Sequence, residues 1–335
     1  MTGSVLLRGL SPRALASLAI LLVVLLVLPL VANSYIVSVM LLVLFAAYLG
    51  QAWNIMMGYV GLLSIGHALY VGLGAYASAA LFVHYGVPPW IGMLAGIVLA
   101  SLAGTLIGAL SFRFGVTGVY FALLTIAFAE FTRILFDHFA WVNGSSGLFL
   151  PVKSLAADDL LHLRGSPAMF YYVMLALVLG ALALSRALIR GRIGFYWQAI
   201  REDQDAAEAV GIDSFRWKLV AVALSAAMAA IAGVIQAFYY NNLYPGTVFA
   251  VGSSVELMSG PIVGGLGTLI GPLLGAFLLT GLGEAMTALT GSLHIDGIKQ
   301  FAYGAVLLVI VVLKPGGIWP WLAGRLGFDR EGGAA

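Results

Sequence analysis

Few residues in this chain have side chains that could do chemistry, and several of them lie inside long apolar segments. Glu130 and Arg133 are three residues apart, a spacing at which two opposite charges on one helix neutralise each other. Glu256, Glu284 and His67 are the other ionisable residues in such segments. Charge in an apolar segment is costly and faces the protein interior or water. We therefore expect Glu256 at the outer mouth of a pathway, and His67 either bonded to a neighbouring helix or lining that pathway.

The sequence contains no set of residues for catalysis, nucleotide binding or metal binding. There is no Gly-x-x-x-x-Gly-Lys-Ser/Thr phosphate loop and no His-Glu-x-x-His metal motif. There is also no cysteine, which excludes disulfides and thiolate metal sites. We predict no catalytic residues, no metal site and no cofactor in this chain. These absences also disfavour a membrane-embedded enzyme.

The composition places the chain in a membrane. Hydrophobic residues make up 62% of the 335 residues and charged residues only 9%, against about 25% charged in soluble domains. No Asp, Glu, Lys or Arg lies between Arg13 and Arg113. Only a lipid bilayer suits such a stretch. The net charge of +2 is too small to indicate a nucleic-acid partner.

The apolar segments predict an all-α polytopic membrane protein of about ten transmembrane helices. A helix needs about 20 apolar residues to cross the hydrocarbon layer. The candidates are 14–33, 36–56, 66–84, 90–112, 116–136, 167–185, 219–240, 255–271, 272–290 and 299–313. Three are rich in glycine and are expected to be broken or re-entrant: 66–84, 255–271 and 272–290. The first candidate can also be interpreted as a cleaved signal peptide, but it is longer than a typical signal sequence.

The distribution of Lys and Arg predicts the orientation of the chain. With the N-terminus in the cytoplasm, twelve of the 16 basic residues fall inside, three fall outside and one lies in a span. We predict a single transmembrane domain over 1–335 with both termini cytoplasmic. It would have an outer loop at 138–166 and a cytoplasmic loop at 186–218.

The cytoplasmic loop has the composition of a docking surface. Residues 195–210 are predicted to form one short helix in which small apolar residues alternate with charged ones. Small residues let a partner approach closely, and mixed charges orient the contact. Gly211 suits the end of this helix, since glycine readily adopts a left-handed conformation. The alternative is a solvated connecting helix that contacts nothing.

Three sequence segments resemble one family. Residues 199–212, Ala-Ile-Arg-Glu-Asp-Gln-Asp-Ala-Ala-Glu-Ala-Val-Gly-Ile, resemble the coupling segment of ABC importer permeases. Residues 53–76 resemble the Asn…Gly-Tyr-x-Gly-x-x-Ser-x-Gly-His segment of branched-chain amino acid permeases, M-type subunit. Residues 264–272, Gly-Gly-Leu-Gly-Thr-Leu-Ile-Gly-Pro, are similar to the late glycine-rich span of that family. The three segments occur in the expected order.

The resemblance implies the permease fold and role of an ATP-driven importer in the bacterial cytoplasmic (inner) membrane. Its expected partners are a second homologous permease, two ATPase subunits that bind ATP, and a soluble substrate-binding protein outside. We expect the outer loop to receive this binding protein. The implied substrate is a branched-chain amino acid; other amino acids, urea and short amides are the alternatives. The residues expected to contact the ATPase are Ala199, Arg201, Glu202, Asp205, Ala206, Ala207, Glu208, Ala209 and Gly211.

Within that segment, we expect Ala206, Ala207 and Ala209 to permit close approach of the ATPase, and Arg201 and Glu208 to orient the contact through charge pairs at its rim. Two clusters of glycine and polar residues are expected to form the substrate path, because interrupted helices expose backbone dipoles to a solute. Tight helix packing is the alternative for each glycine. The path candidates are Asn54, Gly58, Gly61, Ser64, Gly66, His67, Glu256, Gly264, Gly265 and Gly267.

An ion-coupled secondary transporter is the remaining rival. It would be a lone chain with ion-coupling carboxylates at the middle of the membrane, and the scarcity of central acidic residues disfavours it. The long cytoplasmic loop also favours a partner subunit.

Overall fold

A computed structural model describes residues 12–151, 158–290 and 298–326 of the chain, and helices dominate it. The long helices are α1 (Pro12–Val31), α2 (Ser34–Val60), α3 (Ala68–Tyr85), α4 (Pro89–Arg113), α5 (Gly118–His138), α6 (Pro167–Arg190), α9 (Ser214–Tyr240), α11 (Val251–Gly264), α12 (Gly271–Thr290) and α13 (Ile298–Leu313). The short ones are α7 (Arg192–Glu202), α8 (Gln204–Ala209), α10 (Pro245–Val248) and α14 (Ile318–Leu326). Strands β1 (Leu148–Phe149) and β2 (Asn242–Leu243) form one antiparallel pair, and 3₁₀ turns cover Ala140–Val142 and Gly144–Ser146.

The predicted all-α polytopic fold is confirmed, and each of the ten predicted segments contains a helix. The count of ten membrane crossings is not confirmed. By length and composition, seven spans in the described part of the chain could cross a membrane: α2, α3, α4, α5, α6, α9 and the stretch Pro245–Gly264. The apolar stretches Ile20–Val31 and Gly271–Met286 are shorter.

Helices α2 and α9 form the centre of the bundle. Helix α9 packs against α2, α3 and α4, while α2 also packs against α6, α11 and α12. In the most apolar part of α2, α3 and α9, 61% of residues are buried, against 22–33% in α4, α5 and α6. The outer helices α4, α5 and α6 therefore expose many of their Leu, Val and Phe side chains, as a lipid environment allows.

Glycines bring the backbones of α3 and α9 into direct contact. A Cβ atom at Gly74 would lie 2.2 Å from the carbonyl oxygen of Ala230, and one at Gly233 would lie 1.9 Å from that of Val71. No side chain fits in either place. Close packing is thus the role of these two glycines, since a small residue lets two helices approach in a membrane.

His67 joins three elements through hydrogen bonds. Its ring is fully buried, with Nε2 2.8 Å from Ser225 Oγ and Nδ1 3.0 Å from Ser64 Oγ. Because the Ser225 hydroxyl donates to the Ala52 carbonyl at 2.7 Å, it accepts from His67, so Nε2 carries the proton. Of its two predicted roles, His67 therefore takes the bond to a neighbouring helix.

The predicted ion pair on α5 is present. Arg133 donates to Glu130 at 2.5 Å and to Asp137 at 2.8 Å, so one guanidinium serves two carboxylates on a single helix face. This face is partly exposed. Mutual neutralisation explains why α5 carries three charges.

The outer loop is folded against the bundle where it is described. Strand β1 pairs with β2, which follows directly after α9. His84 bonds the Trp141 carbonyl at 2.8 Å, and Trp90 bonds the Leu160 carbonyl at 3.0 Å. The His162 side chain hydrogen-bonds Asp159 and lowers the pKa of that carboxyl. Residues 152–157 of this loop lie outside the described part.

The expected interruption of the late glycine-rich segment is confirmed. Helix α11 ends at Gly264, residues 265–270 are non-helical, and α12 begins at Gly271. Helix α11 has 14 residues and a length of about 21 Å, less than the hydrocarbon thickness of about 30 Å. In contrast, 272–290 falls within one continuous helix, and the early segment is interrupted only before Ala68.

We predict that Gly74→Ala destabilises the bundle whereas Gly180→Ala does not. The added Cβ at Gly74 has no space, so the α3 and α9 backbones must separate, at about 1–3 kcal/mol. At Gly180 of α6 nothing lies within 4 Å, and alanine favours the helix. Thermal unfolding of the detergent-purified chain measures both. Equal melting temperatures would contradict the proposed helix contact.

Candidate functional site

The cytoplasmic loop of the sequence analysis forms a bent pair of helices, α7 and α8, called here the elbow (residues 192–211). The prediction of one helix over 195–210 was wrong, because the segment forms two helices that meet at Asp203. Asp203 has extended backbone (φ −155°, ψ 109°), and its side chain accepts the Ala206 N–H at 3.0 Å. An Asp in this position caps the next helix and so ends the previous one. Gly211 follows α8 with φ +89°, as expected for a residue that ends a helix.

The elbow is anchored to the membrane bundle through its inner face. Trp197 is fully buried and donates to the Trp217 carbonyl at 2.9 Å. Ile200 and Ala207 are also buried, at 4% exposure each. The expectation that Ala207 faces the ATPase is therefore corrected: at this position α8 packs against its own chain. A bulky residue here would disturb the fold of the elbow itself.

Glu208 is exposed on α8, and its carboxylate is hydrogen-bonded within its own chain. Ser214 Oγ donates to its carboxylate, and Gln204 Nε2 donates at 2.9 Å. Lys218 at the start of α9 donates to Gln204 Oε1. These bonds, first of all the one from Ser214, lower the pKa of Glu208. The network fixes α8 on the first turn of α9.

The outer face of the elbow is small, acidic and apolar. Seven of the nine residues expected to contact the ATPase are exposed: Arg201, Glu202, Asp205, Ala206, Glu208, Ala209 and Gly211. Val210 was not among the predicted residues, yet its side chain is 78% exposed. An apolar side chain in such a position, outside the spans, is a candidate contact for another protein. Ala199 is half-buried on α7.

Arg201 reaches from the elbow into the bundle. Its Nη1 donates to the Gly58 carbonyl at the end of α2, at 2.5 Å. A Cβ at Gly267 would lie 2.7 Å from the same Nη1, so the guanidinium also touches the 265–270 loop. Gly61, with φ +79°, lies beside the Arg201 stem. Arg201 was expected at a docking rim; part of it is exposed, but its tip contacts two membrane elements.

Asn54 holds the same loop from inside the bundle. It is fully buried; its Oδ1 accepts the Gly267 N–H at 2.9 Å, and its Nδ2 donates to the Thr268 carbonyl at 2.9 Å. Thr268 in turn accepts the Gly271 N–H at 3.0 Å and so caps α12. Asn54 thus replaces the backbone bonds that the break between α11 and α12 removes.

A cleft of about 300 Å³ opens between α2, α9, α11, α12 and α13. It lies between the middle of α2 and the C-terminal end of α9, which precedes β2. Its polar lining groups are Gln236, Tyr240, Thr247, Ser253, Glu256, Thr280, Glu284 and Tyr303; apolar groups include Phe45, Leu49 and Leu257. A wider cleft of about 690 Å³ shares Thr247, Ser253, Glu256 and Tyr303 with it. An apolar pocket with a few polar groups suits a small organic solute.

The ten path candidates divide between this cleft and the helix contacts. Only Glu256 lines the cleft. Ser64 and His67 bond each other, and Gly66 packs on the Thr125 carbonyl, where a Cβ would lie at 2.1 Å. Gly264 packs on the Gly271 carbonyl, where an added Cβ would lie 1.7 Å from the oxygen. Asn54, Gly58, Gly61 and Gly267 lie around the Arg201 contact, while Gly265 packs on Gly316 and Pro320.

Sequence reasoning did not identify most of the cleft. Gln236, Tyr240, Thr280 and Tyr303 come from three helices that are far apart in sequence, and none of these residues stands out locally. Glu256 and Glu284 carried the visible signal, since each is a charge in an apolar segment. That both line one cleft depends on the packing of α11 against α12.

The chain was compared with known proteins. The family model described as "Branched-chain amino acid transport system / permease component" matches residues 31–313. LivM of Escherichia coli K12, a permease protein of high-affinity branched-chain amino acid transport, is 27% identical over 293 residues, covering 81% of this chain and 67% of LivM. LivH of the same organism is 25% identical and covers 81% of this chain and 90% of LivH. The autoinducer 2 import permease LsrC of Enterobacter sp. strain 638 is 29% identical, over 72% of this chain and 68% of LsrC. No solved structure shows a significant match.

The family match covers most of the chain, including the elbow, the Arg201 contact and the helices that line the cleft. The helical architecture agrees with it. This chain belongs to the family of branched-chain amino acid ABC transporter permeases and is of the LivM type.

Proposed function

We propose that this permease forms one half of the membrane pore of an ATP-driven importer for branched-chain amino acids. A second, homologous permease would complete the pore, since the LivM and LivH relatives are both permease proteins of such transport. Two ATPase subunits would supply the energy. The exposed outer face of the elbow is the observation that carries the proposal, because it is built for contact with another protein.

The elbow has the properties that a force-bearing contact requires. Its inner face is fixed by buried Trp197 and Ala207 and by the network around Glu208. Its outer face offers Ala206, Ala209 and the exposed Val210. A rigid body with a small, partly apolar surface can transmit motion of a partner, whereas a loose connector cannot.

The cleft supports a zwitterionic amino acid as substrate. Glu256 and Glu284 offer negative charge to an ammonium group, and the hydroxyls of Thr247, Ser253 and Thr280 offer polar contacts. Leu49, Leu257 and their neighbours supply an apolar wall for a branched side chain. The autoinducer 2 permease among the relatives makes another small polar solute the alternative substrate.

The outer loop is the proposed receiver of a substrate-binding protein. It folds against the ends of α3, α4 and α9 and presents Leu161, Phe149 and Trp141 to solvent. It lies at the opposite end of α6 from the elbow. With the elbow in the cytoplasm, as the Lys and Arg distribution predicts, this loop faces the outside of a bacterial inner membrane.

One observation favours a second function. Two carboxylates, those of Glu256 and Glu284, line the same cleft, and carboxylates within membrane segments can carry protons in an ion-coupled transporter. Such a transporter would take up solute without an ATPase. Uptake that survives removal of the ATPase subunits but stops when the proton gradient is collapsed would establish this alternative.

We predict that Val210→Arg prevents assembly with the ATPase, whereas Leu161→Arg does not. Both substitutions place a charge on an exposed apolar side chain, 78% and 60% exposed, at opposite ends of the molecule. In an interface, the Arg at position 210 would be buried without a partner, costing several kcal/mol. Co-purification with ATPase subunits measures assembly. If Val210→Arg assembles and transports like the wild type, the elbow is only a connector.

The orientation is open to a direct labelling experiment. The chain has no cysteine, so Asp205→Cys on the elbow and Ser145→Cys on the outer loop introduce single, exposed thiols. In whole cells an impermeant thiol reagent should label position 145 and spare position 205 until the cells are opened. Labelling of position 205 in intact cells would reverse the assigned orientation.

The role of Glu256 in substrate binding predicts a difference between two variants. Glu256→Gln removes the charge and retains the size, so the apparent affinity for a zwitterionic amino acid should fall about tenfold. Glu256→Asp retains the charge and should lose much less. Concentration-dependent uptake by the reconstituted importer gives both values. Equal losses in the two variants would show that size, and not charge, matters at this position.

A further inference from the structure

Three elements meet at one side chain, that of Arg201. It belongs to α7 of the elbow, and its Nη1 donates to the Gly58 carbonyl at 2.5 Å. A Cβ atom added at Gly267 would lie 2.7 Å from the same nitrogen and 2.8 Å from the Gly58 carbonyl oxygen. Arg201 therefore touches the elbow, the end of α2 and the loop between α11 and α12 at once.

The bond to Gly58 satisfies a backbone group that the helix leaves open. The last carbonyls of a helix have no partner within it. At the end of α2, the N–H groups of Gly61 and Leu62 satisfy the carbonyls of Met56 and Met57. The Gly58 carbonyl is bonded by Arg201 instead, and a cation at a helix C-terminus is also favoured by the helix dipole.

The loop beside Arg201 connects two of the helices that line the cleft. Residues 265–270 join α11, which carries Glu256, to α12, which carries Glu284. Asn54 of α2 holds this loop through Gly267 and Thr268. A displacement of the Arg201 guanidinium would therefore press on the loop or release it, and both of these helices begin or end there.

We propose that Arg201 is the positioning residue that couples the elbow to the substrate cleft, and not a contact to the ATPase. Movement of the elbow changes the contact of Arg201 with Gly58 and Gly267, and the loop carries the change to α11 and α12. The inference rests on the proposed function only for the source of the movement. The link from Arg201 to the loop is a property of this chain alone.

The first test uses the purified permease without any partner. Hydrogen–deuterium exchange is followed in peptides that cover 262–272, where the Gly267 N–H reports on the loop. Arg201→Ala should speed exchange there by about tenfold, because a charge-assisted hydrogen bond to the neighbouring backbone is lost. Arg201→Lys should have a smaller effect, since an ammonium group can still donate to one carbonyl but lacks the several donors of the planar guanidinium. Unchanged exchange in Arg201→Ala would overturn the proposal.

A glycine pair tests the same contact from the side of the loop. Gly267→Ala adds a Cβ against Arg201 Nη1 at a residue with φ +73°. Gly115→Ala is the matched control: its φ is +66°, and nothing lies within 4 Å of the added Cβ. Both variants carry backbone strain, but only the first displaces the guanidinium. Equal exchange and equal transport in the two variants would contradict the role of the contact.

The second test uses the complete importer, with ATPase subunits and binding protein. Arg201→Ala should assemble normally, yet transport per ATP hydrolysed should fall about tenfold. A double variant with Gly267→Ala should be hardly worse than either single one, because both changes break one contact. Failure of Arg201→Ala to assemble would make Arg201 a docking residue and overturn the inference. Failure of the wild-type chain to assemble would instead refute the proposed function and leave the exchange result standing.

Discussion

Contact between the backbones of α3 and α9, at Gly74 and Gly233, holds the centre of this permease together. Helix α9 runs from one functional region to the other. Its first turns carry Ser214 and Lys218, which fix the elbow, and its far end carries Tyr240, which lines the cleft. Any separation of α9 from α3 would therefore move both regions. In lipid, where apolar burial contributes little between helices, such close packing is the main source of a defined arrangement.

The second constraint comes from the backbone groups that each interruption of a helix exposes. In the hydrocarbon region these groups must be bonded by the protein itself. Asn54 bonds the loop between α11 and α12, and Arg201 bonds the last turn of α2. The side chains that bond these groups tie the interrupted helices to their neighbours. Arg201 therefore links the elbow to the loop between α11 and α12, in addition to the direct connection through α9.

Helix ends and spans followed from local sequence in most of the chain. Twenty apolar residues form a helix that crosses lipid wherever they occur, so the ten segments could be located without knowledge of their neighbours. The break at 265–270 was also visible, because glycine and proline interrupt helices locally. The family resemblance depended on three short motifs that are recognised directly in the sequence. In contrast, the bend at Asp203 was missed, since an acidic residue inside a charged run gives no sign that it caps a second helix.

The sequence by itself determined that the chain is an all-α membrane protein, that a helical loop lies near residue 200, and that Glu130 and Arg133 form an ion pair. Each of these depends on composition or on neighbours within one helix turn, whereas the permease family was indicated by the resemblance of the three motifs. Only the tertiary structure decided that Ala207 faces inward, that Arg201 touches Gly58 and Gly267, and that Glu256 and Glu284 share one cleft. The direction of a side chain on a helix with small residues on several faces is set by the helices packed around it. Partners such as Gly58 and Arg201 are 143 residues apart, and no local pattern records such a contact.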